Sequence, residues 1–282
     1  MNAHATVDGL TINRLEGCGA EILGVDLTTL SDAQMEAVRA AYVEHGIIFF
    51  RDQKITPQQH IAFAKRWGGI DINRFFTPTP DFPEIAEVRK EKEQKTNIGG
   101  GWHTDHSYDQ IPAMGSILVA RELPESGGDT MFSSMYAAYD ALPDETKKSI
   151  EGLRAVHSNA HVFGASGVYA QGDNAKAFGN QDGVGEALHP VVIIHPESGK
   201  KALYVNPAFT IRFENKTREE SLPLLHTLFA HAMDKKFVHR FAWRPGSIAF
   251  WDNRSTWHYA LNDYDGQKRL MHRITIAGSA LH

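Results

Sequence analysis

A His-x-Asp pair and a distant histidine are the residues whose types and spacing most clearly predict chemistry. His103 and Asp105 lie in the segment WHTD, and His258 lies in TWHY. Two imidazoles and one carboxylate are the ligand set of non-haem Fe(II) oxygenases, where they occupy one face of the metal and leave positions open for a co-substrate and O₂. Because residues two apart in a strand point to the same side, His103 and Asp105 can bind one ion, with His258 supplied by another strand.

Two further polar residues fit an oxygenase that uses a carboxylate co-substrate. Arg269 follows His258 in the segment RLMHR, where a guanidinium can bind a carboxylate through two parallel hydrogen bonds. Thr130, in GGDT, offers a hydroxyl group that can share this carboxylate. Taken singly, each has an ordinary alternative, because a lone Arg is usually a surface residue and Thr is common in strands.

The sequence at this point resembles the taurine dioxygenase family of Fe(II)/2-oxoglutarate-dependent dioxygenases, which includes alkylsulfatases and aryloxyalkanoate dioxygenases. The matching segments are WHTD, ARELPESGGDT, LYVNPAFTIR and WDNRSTWHYALNDYDGQKRLMHR. The resemblance extends over almost the whole chain, from GAEI at 19–22 to Ile276. It implies an oxidoreductase that uses Fe(II), 2-oxoglutarate and O₂ to hydroxylate a small organic substrate.

The resemblance also implies a role for each of these polar residues. The expected iron ligands are His103, Asp105 and His258. Arg269 and Thr130 are expected to hold the distal carboxylate of the co-substrate 2-oxoglutarate. Arg273 is expected nearer the metal, where it would bind the inner carboxylate of the co-substrate or an anionic group of the substrate. Related halogenases have Ala or Gly in place of the carboxylate ligand, so Asp105 favours hydroxylation.

The substrate pocket is less well defined by the sequence. The residues that the resemblance places there are Asn73, Phe76, His106, Ser107, Tyr108, Phe163, Phe209 and Arg273. Taurine enzymes have a His where this chain has Asn73 and a Tyr where it has Phe76, and a neutral amide cannot become cationic as His can. We therefore expect an anionic substrate other than taurine: a sulfonate, a sulfate ester or an aryloxy or alkyl carboxylate. Hydroxylation beside a heteroatom would then cleave the C–heteroatom bond.

Several candidate residues also have a structural interpretation. Phe163 and Phe209 are equally suited to core packing. His106 directly follows Asp105, so in an extended strand its side chain would leave the metal face, and a supporting or solvent-facing role is as good an expectation as substrate contact. The remaining histidines without an obvious partner set are expected to be structural: His157, His189, His195 and His272.

Two other classes of protein remain open from the residues alone. A zinc hydrolase can use the same His/Asp/His set with an activated water. It would have no need for Arg269 and Thr130 and would work without O₂. A non-catalytic jelly roll that binds a metal or a ligand is the second alternative, because a fold does not fix a function.

Composition restricts the binding partners and the cellular compartment that we expect. The chain has 282 residues, a net charge of −5 and one cysteine, Cys18. With no basic run, nucleic acid is not an expected partner. We see no apolar stretch long enough for a transmembrane helix and no signal peptide, and a single cysteine fits a reducing compartment. We therefore expect a cytoplasmic enzyme, without a membrane partner, that forms a homo-oligomer, a dimer or a tetramer, as the family often does.

The elements that must position these residues are a few helices followed by many short strands. Capping boxes at 31–34 and 56–59 predict two helices that end at Gly46 and near Gly68. Further helices are predicted after Ser134 and from Thr217. The predicted strands are 47–50, 117–119, 191–194, 202–205, 247–251 and 274–276.

The order of elements predicts one domain over residues 1–282. The interval 70–101 looks irregular and is expected to form an active-site lid, because long loops of this kind are often lids. Many short strands with flanking helices predict a mainly β fold, a double-sheet jelly roll. The family resemblance implies the double-stranded β-helix, the cupin-like form of that fold.

Overall fold

A computed structural model describes residues 4–76, 78–170, 173, 175 and 183–281. Thr77, inside the expected lid, lies outside the described residues. The α-helices are α1 Asp32–His45, α2 Pro57–Lys65, α3 Met135–Asp140, α4 Asp144–Ile150, α5 Ala160–Phe163 and α6 Arg218–Ala232, and short 3₁₀ helices span Val168–Ala170 and Lys235–Phe237. The first half of the chain contributes the strands β1 His4–Val7, β2 Leu10–Arg14, β3 Ala20–Leu23, β4 Ile47–Phe50, β5 Ile70–Asp71, β6 Pro78–Thr79, β7 Phe82–Lys90, β8 Gly115–Glu122 and β9 Thr130–Ser134. The second half contributes β10 Arg154–Ser158, β11 Glu186–Pro190, β12 Val192–Ile194, β13 Lys201–Leu203, β14 Thr210–Phe213, β15 Val238–Phe241, β16 Ile248–Asp252, β17 Thr256–Ala260 and β18 Arg269–Ile276.

The helix signals in the sequence are confirmed where they are local. Ser31 and Thr56 cap α1 and α2 through the predicted capping boxes, and Gly46 ends α1 in the left-handed conformation. Such caps satisfy amide groups that have no partner inside the helix. Helix α2 ends at Lys65, a few residues before the glycines at which we expected it to end.

Two sheets face each other, as a jelly roll requires. The large sheet has the strand order β1-β2-β3-β4-β16-β8-β18-β7-β6, with β5 also paired to β18, and a small sheet has the order β15-β9-β17. The layer between them contains Phe132 of the small sheet against Phe49, Trp251 and Met271 of the large one. Separate small sheets are formed by β11-β10-β14 and by β12-β13.

The large sheet is covered on both faces, which explains the continuous apolar run of β4. Ile47 and Phe49 face the small sheet, whereas Ile48 and Phe50 pack under α1 and α2. A strand buried on both faces reads as a short unbroken apolar segment in the sequence, as we predicted here.

The expectation that 70–101 is irregular was wrong for its middle part. Strand β7 occupies Phe82–Lys90 and pairs with β18 along five residues, from Lys90 opposite Arg269 to Ala86 opposite Arg273. Its charged residues and its proline gave it a weak β signal, and its conformation comes from pairing with β18. Only the two ends of the interval, 72–76 and 91–101, are mainly loop.

Candidate metal centre and adjoining cavities

Three side chains converge in the interior between the two sheets. The imidazoles of His103 and His258 and the carboxylate of Asp105 offer ligand atoms that all lie within 4.8 Å of one another. Nε2 of His103 lies 3.7 Å from Oδ1 of Asp105, and Nε2 of His258 lies 3.7 Å from its Oδ2. The sequence predicted this cluster, although His258 is far from the other two residues along the chain.

The backbone brings the cluster together in a different way from the one expected. His103 forms an isolated bridge with His258, each donating its amide to the carbonyl of the other, at 3.1 and 2.8 Å. The chain then leaves this pairing, and Asp105 begins a turn, so the strand expected across 103–105 was wrong. The intervening Thr104 donates its hydroxyl to the carbonyl of Asn253 at 2.6 Å, which ties this turn to the one that precedes β17.

The protonation states suit metal binding. Nδ1 of His103 lies 2.8 Å from the carbonyl of Gly101 and donates to it, so Nε2 is the nitrogen that can bind a metal. Burial lowers the pKa of His258 well below its ordinary value, and His103 adds to this effect. Burial raises the pKa of Asp105, but Arg273 and the neighbouring histidines outweigh it, and the pKa lies well below its usual range. Neutral imidazoles and an ionised carboxylate are the forms that bind a metal.

Arg273 adjoins the cluster. Its Nη2 forms an ion pair with Oδ2 of Asp105 at 3.0 Å, and its Nη1 donates to Oδ1 at 3.4 Å. The side chain is 9% exposed and lines both cavities that meet at the cluster. The position near the ligand set agrees with the expectation from the sequence.

The first of these cavities, the arginine cavity, is a space of about 50 Å³. The residues around it include Val88, Leu118, Thr130, Trp251, Ala260 and Arg269. Arg269 is 4% exposed, its Nε and Nη2 have no hydrogen-bond partner, and within the described ranges it forms no salt bridge. Burial lowers the pKa of its guanidinium, against the opposing effect of Tyr264 and Asp129. Trp243 donates to Oγ1 of Thr130 at 3.0 Å, which leaves the proton of this hydroxyl group to be donated elsewhere.

The second cavity, the aromatic cavity, has a volume of about 190 Å³ and includes the predicted substrate residues except Ser107. Those that line it are Asn73, Phe76, His106, Tyr108, Phe163, Phe209 and Arg273. Ser107 is fully buried, and its Oγ accepts a hydrogen bond from Nδ2 of Asn206 at 3.0 Å. Asn73 also holds its own loop, because its Oδ1 accepts the amides of Phe75 and Phe76 at 2.9 and 3.2 Å.

The walls of this cavity are aromatic, and the sequence predicted Phe76, Tyr108, Phe163 and Phe209 among them but not Phe75 and Tyr169. The rings of Phe75 and Phe163 stack with centroids 4.3 Å apart, and Tyr108 contacts Phe209 edge to face at 4.8 Å. Tyr169 adds a further ring, 5.7 Å from that of Phe163, and accepts the amide of Gly99 on its hydroxyl group. These residues lie on loops and short helices, where no periodic pattern distinguishes a cavity wall from surface.

His106 faces the aromatic cavity, contrary to the geometry expected of an extended strand. It has the left-handed backbone conformation, with φ at 60°, and is 2% exposed. Its Nδ1 donates to Oδ2 of Asp109 at 2.9 Å, and Oδ1 of Asp109 pairs with Arg74 at 2.6 Å. A non-glycine residue in this region is strained, and such strain often occurs at functional sites.

The histidines that we expected to be structural form hydrogen bonds with residues that the sequence could not identify. His195 donates its Nε2 to Asp252 at 3.0 Å in a fully buried network that includes Arg254. His189 hydrogen-bonds to the carbonyl of Asp109 at 2.9 Å. None of His157, His189, His195 and His272 belongs to the metal cluster found among the described residues.

Comparison with known proteins agrees with this fold. A model of the family described as "Taurine catabolism dioxygenase TauD, TfdA family" matches residues 11–275. An alkylsulfatase from Acinetobacter baylyi is 34% identical over 278 residues, which are 95% of this chain and 85% of that protein. An (S)-phenoxypropionate/alpha-ketoglutarate-dioxygenase from Sphingobium herbicidovorans is 34% identical and covers 92% of each chain. The crystal structure of a taurine dioxygenase from Burkholderia xenovorans has a TM-score of 0.81 at 32% identity, covering 97% of this chain and 91% of that one.

These relatives, together with the jelly roll, identify a 2-oxoglutarate-dependent dioxygenase that uses iron. The chain belongs to the taurine catabolism dioxygenase (TauD, TfdA) family. This membership favours the oxygenase over the zinc hydrolase and over the non-catalytic jelly roll that the residues alone left open.

Proposed function

We propose that this enzyme hydroxylates a small organic anion with an apolar, ring-sized body, and that His103, Asp105 and His258 hold its Fe(II). The observation that carries the proposal is the position of this cluster between two unlike cavities. One contains a buried arginine with no counterion among the described residues, and the other has aromatic walls. The first fits the dicarboxylate co-substrate and the second fits the substrate.

The residues of the arginine cavity fit 2-oxoglutarate. Arg269 has two N–H groups that no described residue accepts, and an unpaired buried charge is costly. A carboxylate can accept both of these groups in the bidentate geometry that Arg favours. Thr130 would donate its hydroxyl to the same carboxylate. Arg273, at the boundary of the two cavities, would bind the inner carboxylate or an anionic group of the substrate.

The metal and the protein residues contribute differently to the reaction. When bound, Fe(II) with 2-oxoglutarate and O₂ supplies the oxidant that converts a C–H bond into C–OH, with succinate and CO₂ as co-products. The chain's own residues hold the reactants and keep water away. Trp251, whose ring centre lies 4.6 Å from that of His258, is 2% exposed and closes the interior against solvent.

The aromatic cavity indicates the substrate. Its rings favour an aryl or alkyl body, and Asn73 and Phe76 replace the His and Tyr of taurine enzymes, which is evidence against taurine itself. The similarity to an alkylsulfatase and to a phenoxypropionate dioxygenase supports a sulfate ester or an aryloxy acid. Hydroxylation of the carbon next to oxygen would then give a carbonyl compound and release sulfate or a phenol.

Three broader expectations belong to the same proposal. Residues 1–282 form one catalytic domain, and the loops at 72–76 and 91–101, which border the aromatic cavity, act as its lid. The enzyme is a homo-oligomer, which light scattering on the purified protein would test. It works in the cytoplasm, and among the described residues no helix is long and apolar enough to cross a membrane.

The test begins with Fe(II) and 2-oxoglutarate added without O₂, which should give the weak visible charge-transfer band of a facial-triad chelate at about 500 nm. Hexyl sulfate, 2,4-dichlorophenoxyacetate and taurine are then compared by succinate formed and carbonyl product released. We expect turnover of one of the first two and little with taurine. A stable alcohol as the sole product would contradict the cleavage step.

A matched pair of variants assigns the metal ligands. His103→Ala should abolish both the band and turnover, because it removes one of three protein ligands. His226→Ala changes an exposed histidine of α6 and should leave both intact. If His103→Ala keeps the band, the proposed ligand set is wrong.

A further inference from the structure

The strand pair β7–β18 places a second buried cation beside Arg269. Lys90 lies directly opposite Arg269 in the antiparallel register, so the two side chains emerge on the same face of the sheet. This is the inner face, because Val88, two residues before Lys90, lines the arginine cavity. The side chain of Lys90 is 1% exposed. Two cations therefore occupy neighbouring positions in the interior.

The neighbours of Lys90 do not neutralise this pair. Its Nζ donates to Oδ1 of Asn262 at 2.7 Å and lies 4.2 Å from the ring centre of Tyr264. The nearest carboxylate is that of Asp265, at 3.9 Å on a side chain that is 76% exposed, where solvent screens it. Like charges directly opposite each other in a sheet destabilise it unless an anion compensates.

We propose that Lys90 is a second cation of the co-substrate site, which attracts the distal carboxylate together with Arg269. The inference rests on the proposed function, because it takes Arg269 as the primary partner of that carboxylate. Arg269 supplies the bidentate contact, whereas Lys90 acts through its charge across a poorly screened interior. The pair is stable when a dicarboxylate is bound and unfavourable when the cavity lacks one.

The alternative is a structural role, in which Lys90 only holds the loop of Asn262 and Tyr264 in place. A charge and a structural contact respond differently to two substitutions. Lys90→Met removes both the charge and the hydrogen bond. Asn262→Asp keeps the contact with Nζ but adds a negative charge that cancels the cation, at a residue that is itself exposed.

The experiment is anaerobic calorimetric titration of the Mn(II)-loaded full-length protein with two keto acids. 2-Oxoglutarate has the distal carboxylate, and 2-oxopentanoate has the same carbon chain without it. Lys90→Met should raise the Kd for 2-oxoglutarate by about tenfold, from the loss of one charge at several ångströms in the protein interior. The Kd for 2-oxopentanoate should stay unchanged. Asn262→Asp should weaken 2-oxoglutarate binding in the same selective way, and Lys90→Arg, which keeps the charge, should bind as the wild type does.

Two results would overturn the inference. An equal loss for both keto acids in Lys90→Met would indicate a structural role, as would an unchanged affinity for 2-oxoglutarate in Asn262→Asp. If Lys90→Met does not fold, Lys90→Arg and Asn262→Asp decide the question by themselves. Arg269→Ala separates this inference from the proposed function: if that variant keeps the full preference for 2-oxoglutarate, the site assignment fails whatever Lys90 does.

Discussion

The arginine cavity and the aromatic cavity meet at one metal cluster but are built from different parts of the fold. Arg269, Thr130 and Val88 lie on paired strands of the two sheets, where register fixes their positions. The walls of the aromatic cavity come from the turn after His103, from the loop around Phe75 and from the short α5. Under the proposed function, this difference corresponds to a division of roles: the strands hold the metal and the co-substrate, and the loops determine which substrate is accepted.

The largest effect is predicted where β16 ends, at the turn that leads into β17 and His258. Asp252 is fully buried and accepts hydrogen bonds from Arg254 at 2.6, 2.8 and 2.9 Å and from His195 at 3.0 Å. Asp252→Asn leaves the buried guanidinium of Arg254 without its main counterion. We expect a loss of about 3–5 kcal/mol in the free energy of unfolding, measured by urea denaturation.

The same network predicts an acid limit for the fold. Burial alone would raise the pKa of Asp252, but Arg254 and His195 lower it to about 2, from an ordinary value of 3.8. A carboxyl group with a lowered pKa in the folded state stabilises the fold above pH 3.8, and this contribution is lost as the pH falls through about 2. In Asp252→Asn, the free energy of unfolding should therefore depend less on pH in this range. The exposed control Asp81→Asn should not, and an equal change in both variants would contradict the prediction.

The next effect concerns the co-substrate alone. Arg269→Ala should weaken 2-oxoglutarate binding by about 2–3 kcal/mol, the range for hydrogen bonds to charged groups. This corresponds to a rise of roughly 30- to 150-fold in the Kd for 2-oxoglutarate, which anaerobic titration of the Fe(II)-loaded protein would measure. Metal affinity should be unchanged, because Arg269 contacts none of the three ligands. If the variant also loses affinity for the metal, metal binding and co-substrate binding cannot be separated.

The division between strands and loops also explains what could be predicted from the sequence. The helices α1 and α2 were predicted because a capping box is a local signal. The cluster of His103, Asp105 and His258 was predicted because ligand chemistry is specific, although the strand geometry invoked for it was wrong. The residue types indicated which ligand atoms must lie close together. The turn that brings them together depends on contacts such as that of Thr104 with Asn253, which the sequence does not show.

Other features could not be predicted because they depend on long-range pairing. Strand β7 has weak propensity, and only its register with β18 shows that Lys90 lies beside Arg269. The orientation of His106 depends on a left-handed residue held by Asp109, which no periodic pattern indicates. The aromatic walls were predicted in part, since Phe76, Tyr108, Phe163 and Phe209 were named but Phe75 and Tyr169 were identified as cavity residues only from the structure.

The smallest effect is predicted in the loop-built cavity. Phe163→Ala removes the ring that stacks on Phe75 and should raise the KM for the best sulfate ester or aryloxy acid. An aromatic contact of this kind contributes about 1–2 kcal/mol, or roughly 5- to 30-fold in KM. The KM for the co-substrate should be unaffected, because Phe163 does not line the arginine cavity.

The control for this variant is Val168→Ala, at the rim of the same cavity, where the side chain is 71% exposed. Losing a mostly exposed side chain should change the KM for the substrate little, because it buries little apolar surface. If Phe163→Ala raises the KM for both reactants together, the loops and the strands act as one unit. A selective effect on the organic anion would instead mean that substrate choice can be changed through the loops while the strands keep the co-substrate site intact.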